Sequence, residues 1–346
     1  MIIDEESARI NVPDNFTRNG PGKKMPGFYN RTQKLNRDLS VLFVKSVKPE
    51  KSLDAFGGTG VRGIRLALET PTEVVITEQN PIAYKYVTEN ITLNNLTVKA
   101  YNCGFQDACN NEIFDYIDID PYGTVVPYTD FAVNSVRPGG YIGFTATDLS
   151  PLTGSVIMKT RRRYGAFIQN DVFRHEMGLR LLISYIIKRA AVFDRAAYPL
   201  ISFWNSHFYR LFFRIEKGTE KTDRLLDQIG TVNKSKLLWN KYRDIEEGPV
   251  WTGHLNDGDL IFSMTRDSKN MENRELRKYL DLMGSEDKSL LFWDLTRISQ
   301  DKHVETPKVN SVVQKLNDLG IDAGRTEFSS TGIKARCKIE DIYSVF

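Results

Sequence analysis

The chain has 346 residues, 41% of them hydrophobic and 11% aromatic, which is ample for a packed core and points to two domains rather than one. Its three cysteines, Cys103, Cys109 and Cys337, include no CxxC pair, which argues for a reducing compartment and against a disulfide framework or a cysteine-based zinc site. Net charge is only +3, the N-terminus MIIDEESARI lacks a basic-then-apolar leader pattern, and no apolar run is long enough to span a membrane, so a cytoplasmic protein without a membrane partner is expected.

Residues 1–32 read as mostly irregular, ending in NGPGKKMPGFYN, whose Gly/Pro content favours a lid over a strand. Leu35, Leu39, Leu42, Phe43 and Val47 recur at helical spacing and predict an amphipathic helix over 33–47, ending before Pro49. Strands are predicted at Ser52–Phe56, Glu73–Thr77, Thr97–Asn102, Phe114–Ile119 and Tyr141–Thr145. Helices are predicted at Gly60–Glu69, from Pro81 onward, and around Val125–Val136. Strict alternation of this kind belongs to a parallel sheet with helices on both faces. Ligands of such sheets bind outside the carboxyl ends of the strands, and Asp54, Glu78, Asp107 and Asp120 all fall at or just after those ends.

A polar-basic insertion over 149–172 carries Arg161, Arg162 and Arg163, and a long helix follows near His175–Arg189. Two β-rich runs, Arg195–Trp204 and His207–Glu216, then read as a hairpin around Asn205-Ser206. A terminal antiparallel hairpin on an alternating sheet is the topology of class I methyltransferases, a Rossmann-like sheet of seven strands. Residues 1–256 are expected to form this α/β domain with its N-terminal lid, and residues 257–346 a smaller α+β domain. There, helix-like KVNSVVQKLNDLG followed by a β-like tail suggests a winged-helix arrangement.

Two stretches carry the chemistry. In SLDAFGGTGVRGIR, Asp54 closes a strand ahead of Gly57, Gly58 and Gly60, whose missing side chains let the backbone turn and approach a ligand at the following helix N-terminus. The spacing Gly58-x-Gly60-x-x-Gly63, with Glu78 some twenty residues on, also satisfies a dinucleotide fingerprint, a weak signal alone. In FDYIDIDPYG, Asp118 and Asp120 precede a rigid Pro121-Tyr122-Gly123 turn. A carboxylate and a turn carbonyl can hold the N–H groups of a nucleobase's exocyclic amine and aim its lone pair, which is otherwise delocalised into the ring. Phe28, Tyr29 and Tyr122 are candidate stacking walls for an extruded base.

Charge is segregated along the chain. Residues 17–51 hold nine Lys/Arg against two acids and residues 155–214 hold eleven against three, flanking a centre with five against twelve. Basic flanks around an acidic cleft suit a polyanionic substrate.

The segments NRDLS after GFYN, LDAFGGTGVRGIR, TEQNP, FDYIDIDPYG, HFYRLFFRIEKG, GPVWTG and GRTEFSSTGIK together resemble the tRNA guanine-N2 dimethyltransferase family, over nearly the whole chain. The resemblance implies S-adenosyl-L-methionine as cofactor, methylation of N2 of guanine twenty-six in tRNA, and a C-terminal domain that helps hold tRNA. It further implies cofactor contacts at Arg37, Arg62, Glu78, Asp107 and Ala108: Glu78 on the ribose, Asp107 and Ala108 at the adenine, the arginines toward the methionine carboxylate. Asp120 with Pro121 would be the catalytic pair. Many relatives carry a four-cysteine zinc site ahead of GPxWTG. Residues 205–260 contain no cysteine, so no metal is expected and packing near Trp239 and Trp251 takes its place. No obligate protein partner is indicated.

Overall fold

The computed structural model describes residues 1–16, 26–234, 245–268, 273–285 and 289–346. It begins with a hairpin, β1 (Ile2–Glu5) and β2 (Ala8–Asn11), followed by α1 (Lys34–Val47). The alternating region then runs β3 (Lys51–Asp54), α2 (Val61–Glu69), β4 (Glu73–Thr77), α3 (Pro81–Leu93), β5 (Lys99–Tyr101), α4 (Phe105–Asn111), β6 (Tyr116–Ile119), α5 (Thr129–Ser135) and β7 (Tyr141–Ala146). Next come α6 (Ile157–Tyr164), α7 (Arg174–Ala191), the long hairpin β8 (Arg195–Asn205) and β9 (Phe208–Lys217), α8 (Thr219–Leu226), β10 (Ile229–Asn233) and β11 (Glu246–Trp251). The C-terminal part holds α9 (Gly258–Asp267), α10 (Arg274–Ser285), β12 (Trp293–Asp294), α11 (Leu295–Lys302), α12 (Val309–Asp318), β13 (Ala323–Arg325), β14 (Gly332–Ala335) and α13 (Ile339–Ser344).

The central sheet has seven strands in the order β5-β4-β3-β6-β7-β9-β8. The β3/β4, β3/β6, β4/β5 and β6/β7 pairs are parallel, and β9 pairs antiparallel with both β7 and β8. This is the sheet expected from the alternation and the terminal hairpin. The strand order reverses direction beside β3, so a crevice opens there at the carboxyl ends.

Both faces are buried. On one, Leu53, Val75, Ile117 and Ile119 meet α4, α5 and α7 residues such as Phe105, Val133 and Leu182. On the other, Val74, Ile76, Tyr116 and Phe212 meet Leu42, Phe43, Ile64 and Val87 of α1, α2 and α3. Phe43 stacks on Phe212 with ring centroids 4.2 Å apart.

The first sixteen residues depart from expectation. They form an ordered hairpin, not irregular chain, with Ala8, Ile10 and Val12 buried against the α1 side of the core. Glu5 at its tip is buried and paired with Arg37 and Arg65. Residues 17–25 of the expected lid, and Trp239, lie outside the described residues.

Ile261 and Met264 of α9 and Leu276, Leu280 and Met283 of α10 belong to the core cluster under α1. From Trp293 onward a separate small core forms around Leu295, Ile298, Val312, Leu316, Ile333 and Ile342. Its sheet order β12-β14-β13, with α11 and α12 inserted between β12 and β13, is the winged-helix order. Among the described residues, no helix is long and apolar enough to cross a membrane.

Candidate active site

Period-two alternation along β6 puts Tyr116, Asp118 and Asp120 on one side of the chain, the side that faces α1 and α2. Tyr116 donates its hydroxyl to Asp118, which is fully buried. Burial alone would raise the Asp118 pKa; Arg210 and Arg62 override it and hold the carboxylate below its usual range. Arg210, itself fully buried on β9, donates to Asp118 at 2.9 Å and reaches Thr145 and Ser40 at 2.9 Å each. This charge sits where a β9 residue between Phe208 and Phe212 on the same face would otherwise be apolar.

Two residues beyond, Asp120 emerges at the floor of a cleft of about 1100 Å³. Arg62, in the first turn of α2, pairs with Asp120 and lies 3.5 Å from Asp118. Asn36 of α1 donates to Thr145 at 3.2 Å and approaches Asp120 at 3.4 Å. Pro121 and Tyr122 continue the floor into the wall, and Tyr122 meets Phe28 edge-to-face at 4.8 Å.

Across the cleft lies the glycine loop. Gly58 and Gly60 have φ of 59° and 80°, in the left-handed region that disfavours any side chain. Gly60 N-caps α2, and the Gly58 N–H donates to Glu78 at 2.8 Å. Glu78 also accepts from the Asn80 N–H at 2.7 Å, so its carboxylate is fixed by backbone while it lines the cleft. Cys103, Gly104, Phe105 and Gln106 complete that side.

The cleft gathers Phe28, Tyr29, Arg37, Gly57, Gly58, Arg62, Glu78, Asp120, Pro121 and Tyr122. Tyr29 and Arg37 contribute from a braced position: Tyr29 donates to Glu5 at 2.7 Å, and Arg37 donates to Glu5 at 2.7 Å and to the Asn30 carbonyl at 3.2 Å. Burial would raise Glu5, but Arg37 above all brings it down to about 2, so the anion persists beside its two arginines.

Asp54, Gly60, Asp107, Ala108 and Arg161 to Arg163 are not among the cleft-lining residues. Asp54 is buried beneath the loop and accepts the Gly63 N–H at 2.9 Å; burial pushes its pKa up to about 7. Asp107 and Ala108 stand on α4, one turn behind the Cys103–Gln106 wall. Arg161 and Arg162 are exposed on α6, and Arg163 binds Asp148 at 2.7 Å. Trp251 is buried and donates to the His254 carbonyl at 2.8 Å.

Gln33, Thr147 and His207 also line the cleft and were not singled out from sequence. His207 lies at the β8–β9 turn, 3.3 Å from Gln33, and burial lowers its pKa. Only proximity in space reveals it, because the turn is far in sequence from both motifs.

At about 1100 Å³ the cleft exceeds the usual size of a small-ligand pocket, a volume suited to an elongated ligand. It offers two guanidinium groups, two carboxylates, a glycine loop and aromatic walls.

Comparison with known proteins agrees. The family described as N2,N2-dimethylguanosine tRNA methyltransferase matches residues 6–346. The tRNA (guanine(26)-N(2))-dimethyltransferase of Thermoplasma volcanium is 45% identical over 345 residues, covering 100% of this chain and 98% of that protein. Its counterpart in Thermoplasma acidophilum is 43% identical, covering 100% and 97%. The structure of Trm1 from Pyrococcus horikoshii with S-adenosyl-L-methionine superposes with a TM-score of 0.89 at 28% identity, covering 100% of this chain and 99% of that one. The chain belongs to the N2,N2-dimethylguanosine tRNA methyltransferase family.

Proposed function

We propose that the cleft brings S-adenosylmethionine and a guanine of tRNA together over Asp120. The protein is an S-adenosylmethionine-dependent tRNA (guanine(26)-N(2))-dimethyltransferase, in keeping with its relatives. The observation that carries the residue assignment is the Asp120-Pro121-Tyr122 turn at the end of a central strand, facing Phe28 and opposite the Gly58–Glu78 loop.

When bound, S-adenosylmethionine supplies an electrophilic methyl group on a sulfonium. Glu78 would hold the ribose hydroxyls, Asp107 and Ala108 the adenine edge, and Arg37 and Arg62 the methionine carboxylate. Gly57, Gly58 and Gly60 keep the loop close, and Asp54 braces it from below through Gly63. Phe28, Tyr29 and Tyr122 would wall the guanine. The Asp120 carboxylate accepts one N2–H and the Pro121 carbonyl the other, which turns the nitrogen lone pair toward the methyl carbon. As the nitrogen took the methyl group and the sulfur departed as a neutral thioether, Asp120 would accept the proton that the cationic nitrogen releases. After the first transfer one N–H remains, enough to orient the second.

The basic side chains Arg161, Arg162 and Arg163, together with the C-terminal domain (residues 257–346), would hold tRNA against the methyltransferase domain (residues 1–256), in the cytoplasm. Incubation with S-adenosylmethionine and an unmodified tRNA transcript, followed by mass spectrometry of nucleosides, tests the reading. N2-methyl- and N2,N2-dimethylguanosine are expected, absent with Asp120→Ala; a methylated adenosine or cytidine would overturn the substrate.

A further inference from the structure

Exposed apolar residues of this protein are mostly scattered singly, as is normal on any surface. The longest exposed run among the described residues is Val156, Ile157 and Met158, three consecutive large apolar side chains exposed at 44%, 43% and 60%. They lead into α6, and the chain before them is not loose. Leu152 is fully buried, the Thr153 hydroxyl donates to the Leu149 carbonyl at 3.0 Å, and Thr160 donates to the Pro151 carbonyl. A Cβ built on Gly154 would lie 2.4 Å from the Ile168 carbonyl, and one on Gly178 of α7 would lie 2.4 Å from that of Leu152. The platform is seated so closely that only glycine fits at both contacts.

That platform is tied to the catalytic turn. The N–H groups of Thr147 and Asp148 both donate to the Gly123 carbonyl, at 2.8 and 3.0 Å, and the Gly123 N–H donates to the Thr147 hydroxyl at 2.9 Å. Asp148 in turn receives Lys159 at 2.8 Å and Arg163 at 2.7 Å from α6. Thr147 lines the cleft. The apolar triplet is therefore held in fixed relation to Tyr122. Arg161 lies one helical turn after Ile157 and Met158, and Arg162 one turn after Met158, which puts cations beside the apolar tip; both arginines are exposed.

We propose that Val156, Ile157 and Met158 form a wedge that fills the stack vacated by the target guanine, while Arg161 and Arg162 take the adjoining phosphates of the tRNA stem. This rests on the methyltransferase reading above. Apolar side chains placed between base steps offset part of the unstacking cost, which is a few kcal/mol. The charge beside the triplet selects a nucleic acid over an apolar protein surface, and the tie to Gly123 selects the stem next to the reacting base.

The test uses the full-length protein and a tRNA transcript with 2-aminopurine in place of the target guanine, whose fluorescence rises when the base leaves the stack. The combined Val156→Ser, Ile157→Ser, Met158→Ser variant is expected to bind tRNA within about threefold of wild type while the fluorescence gain per bound complex and kcat on the normal transcript both fall about tenfold, because extrusion and not attachment is impaired. Met158→Leu alone should retain both signals. A triple variant with wild-type fluorescence gain and kcat overturns the wedge. So does one that loses tRNA affinity while the gain per complex is intact, for the triplet would then be an ordinary contact. Failure of the wild type itself to methylate guanine would instead overturn the function reading.

Discussion

Arg62 and Asn36 both engage Asp120 through the same oxygen, Oδ2, so the other carboxylate oxygen keeps its acceptor capacity while the group is locked in orientation. Behind them Arg210 and Asp118 form a fully buried ion pair with Ser40, Thr145 and Tyr116 around it. The Asp120 carboxylate is thus held by a charged network that penetrates the sheet.

Asp120→Asn preserves shape and still offers Arg62 an oxygen, but it removes the charge proposed to receive the amine proton. Turnover is expected to fall about 10²–10⁴-fold, with S-adenosylmethionine affinity changed only a few-fold. Single-turnover methyl incorporation and calorimetric titration of the cofactor separate the two effects. Near-wild-type turnover would remove Asp120 from the reaction.

Asn36→Asp sets a second carboxyl group 3.4 Å from Asp120. A like charge there repels the Asp120 carboxylate and competes with it for Arg62. Single-turnover methyl incorporation is expected to fall about tenfold in Asn36→Asp, and less in Asn36→Ala, which removes the contact without adding charge. Equal losses in the two variants would show that charge beside Asp120 does not matter.

The sheet was legible because most of its parallel strands are short apolar runs closed by an acidic or Gly/Pro-rich turn, and Tyr141–Ala146 and the β8–β9 hairpin fall almost where their sequences place them. The β1–β2 hairpin was not legible. Its turn is Glu6-Ser7, with Glu6 at φ 51°, so the usual Gly or Asn signal is missing. Helix α4 spans seven residues, FQDACNN, too short and too poor in strong helix formers to announce itself. Asp120 and Glu78 could be named from their strand-end positions. Arg210, which pairs with Asp118 behind the site, is marked only by a charge on an inward-facing β position, and its partner cannot be read without the fold. The basic block over 155–214 is similarly divided by structure: Arg180 and Arg210 are spent in buried pairs with Glu176 and Asp118, and only part of its charge reaches the surface.

The ring of His175 stacks on Trp204 at 4.0 Å, and Trp204 lies over Phe328, joining α7, the terminal hairpin and the C-terminal part. Burial, aided by Arg174, lowers its pKa from 6.5 to about 4. Between those values the unfolded chain binds a proton that the folded chain does not, so this group's stability contribution is complete above pH 6.5 and is lost as pH falls toward about 4. Urea midpoints measured across that interval should decline more steeply for the wild type than for His175→Phe, which keeps the stack without the titration. Parallel declines would mean that other groups carry the acid sensitivity.

Arg161 and Arg162 differ from the buried arginines in what they can release. An exposed guanidinium that neutralises a tRNA phosphate displaces a condensed counterion, so it steepens the dependence of affinity on salt by about one unit of slope in a log–log plot. Replacing both by Ala should weaken tRNA binding at low salt and flatten that slope by roughly one to two units. S-adenosylmethionine affinity should stay unchanged, since neither residue lines the cleft. Filter binding at several salt concentrations gives the slope directly. A uniform loss of affinity with the slope intact would mean that the two arginines shape the surface without touching phosphate, and the anchoring charge would then have to come from elsewhere on the chain.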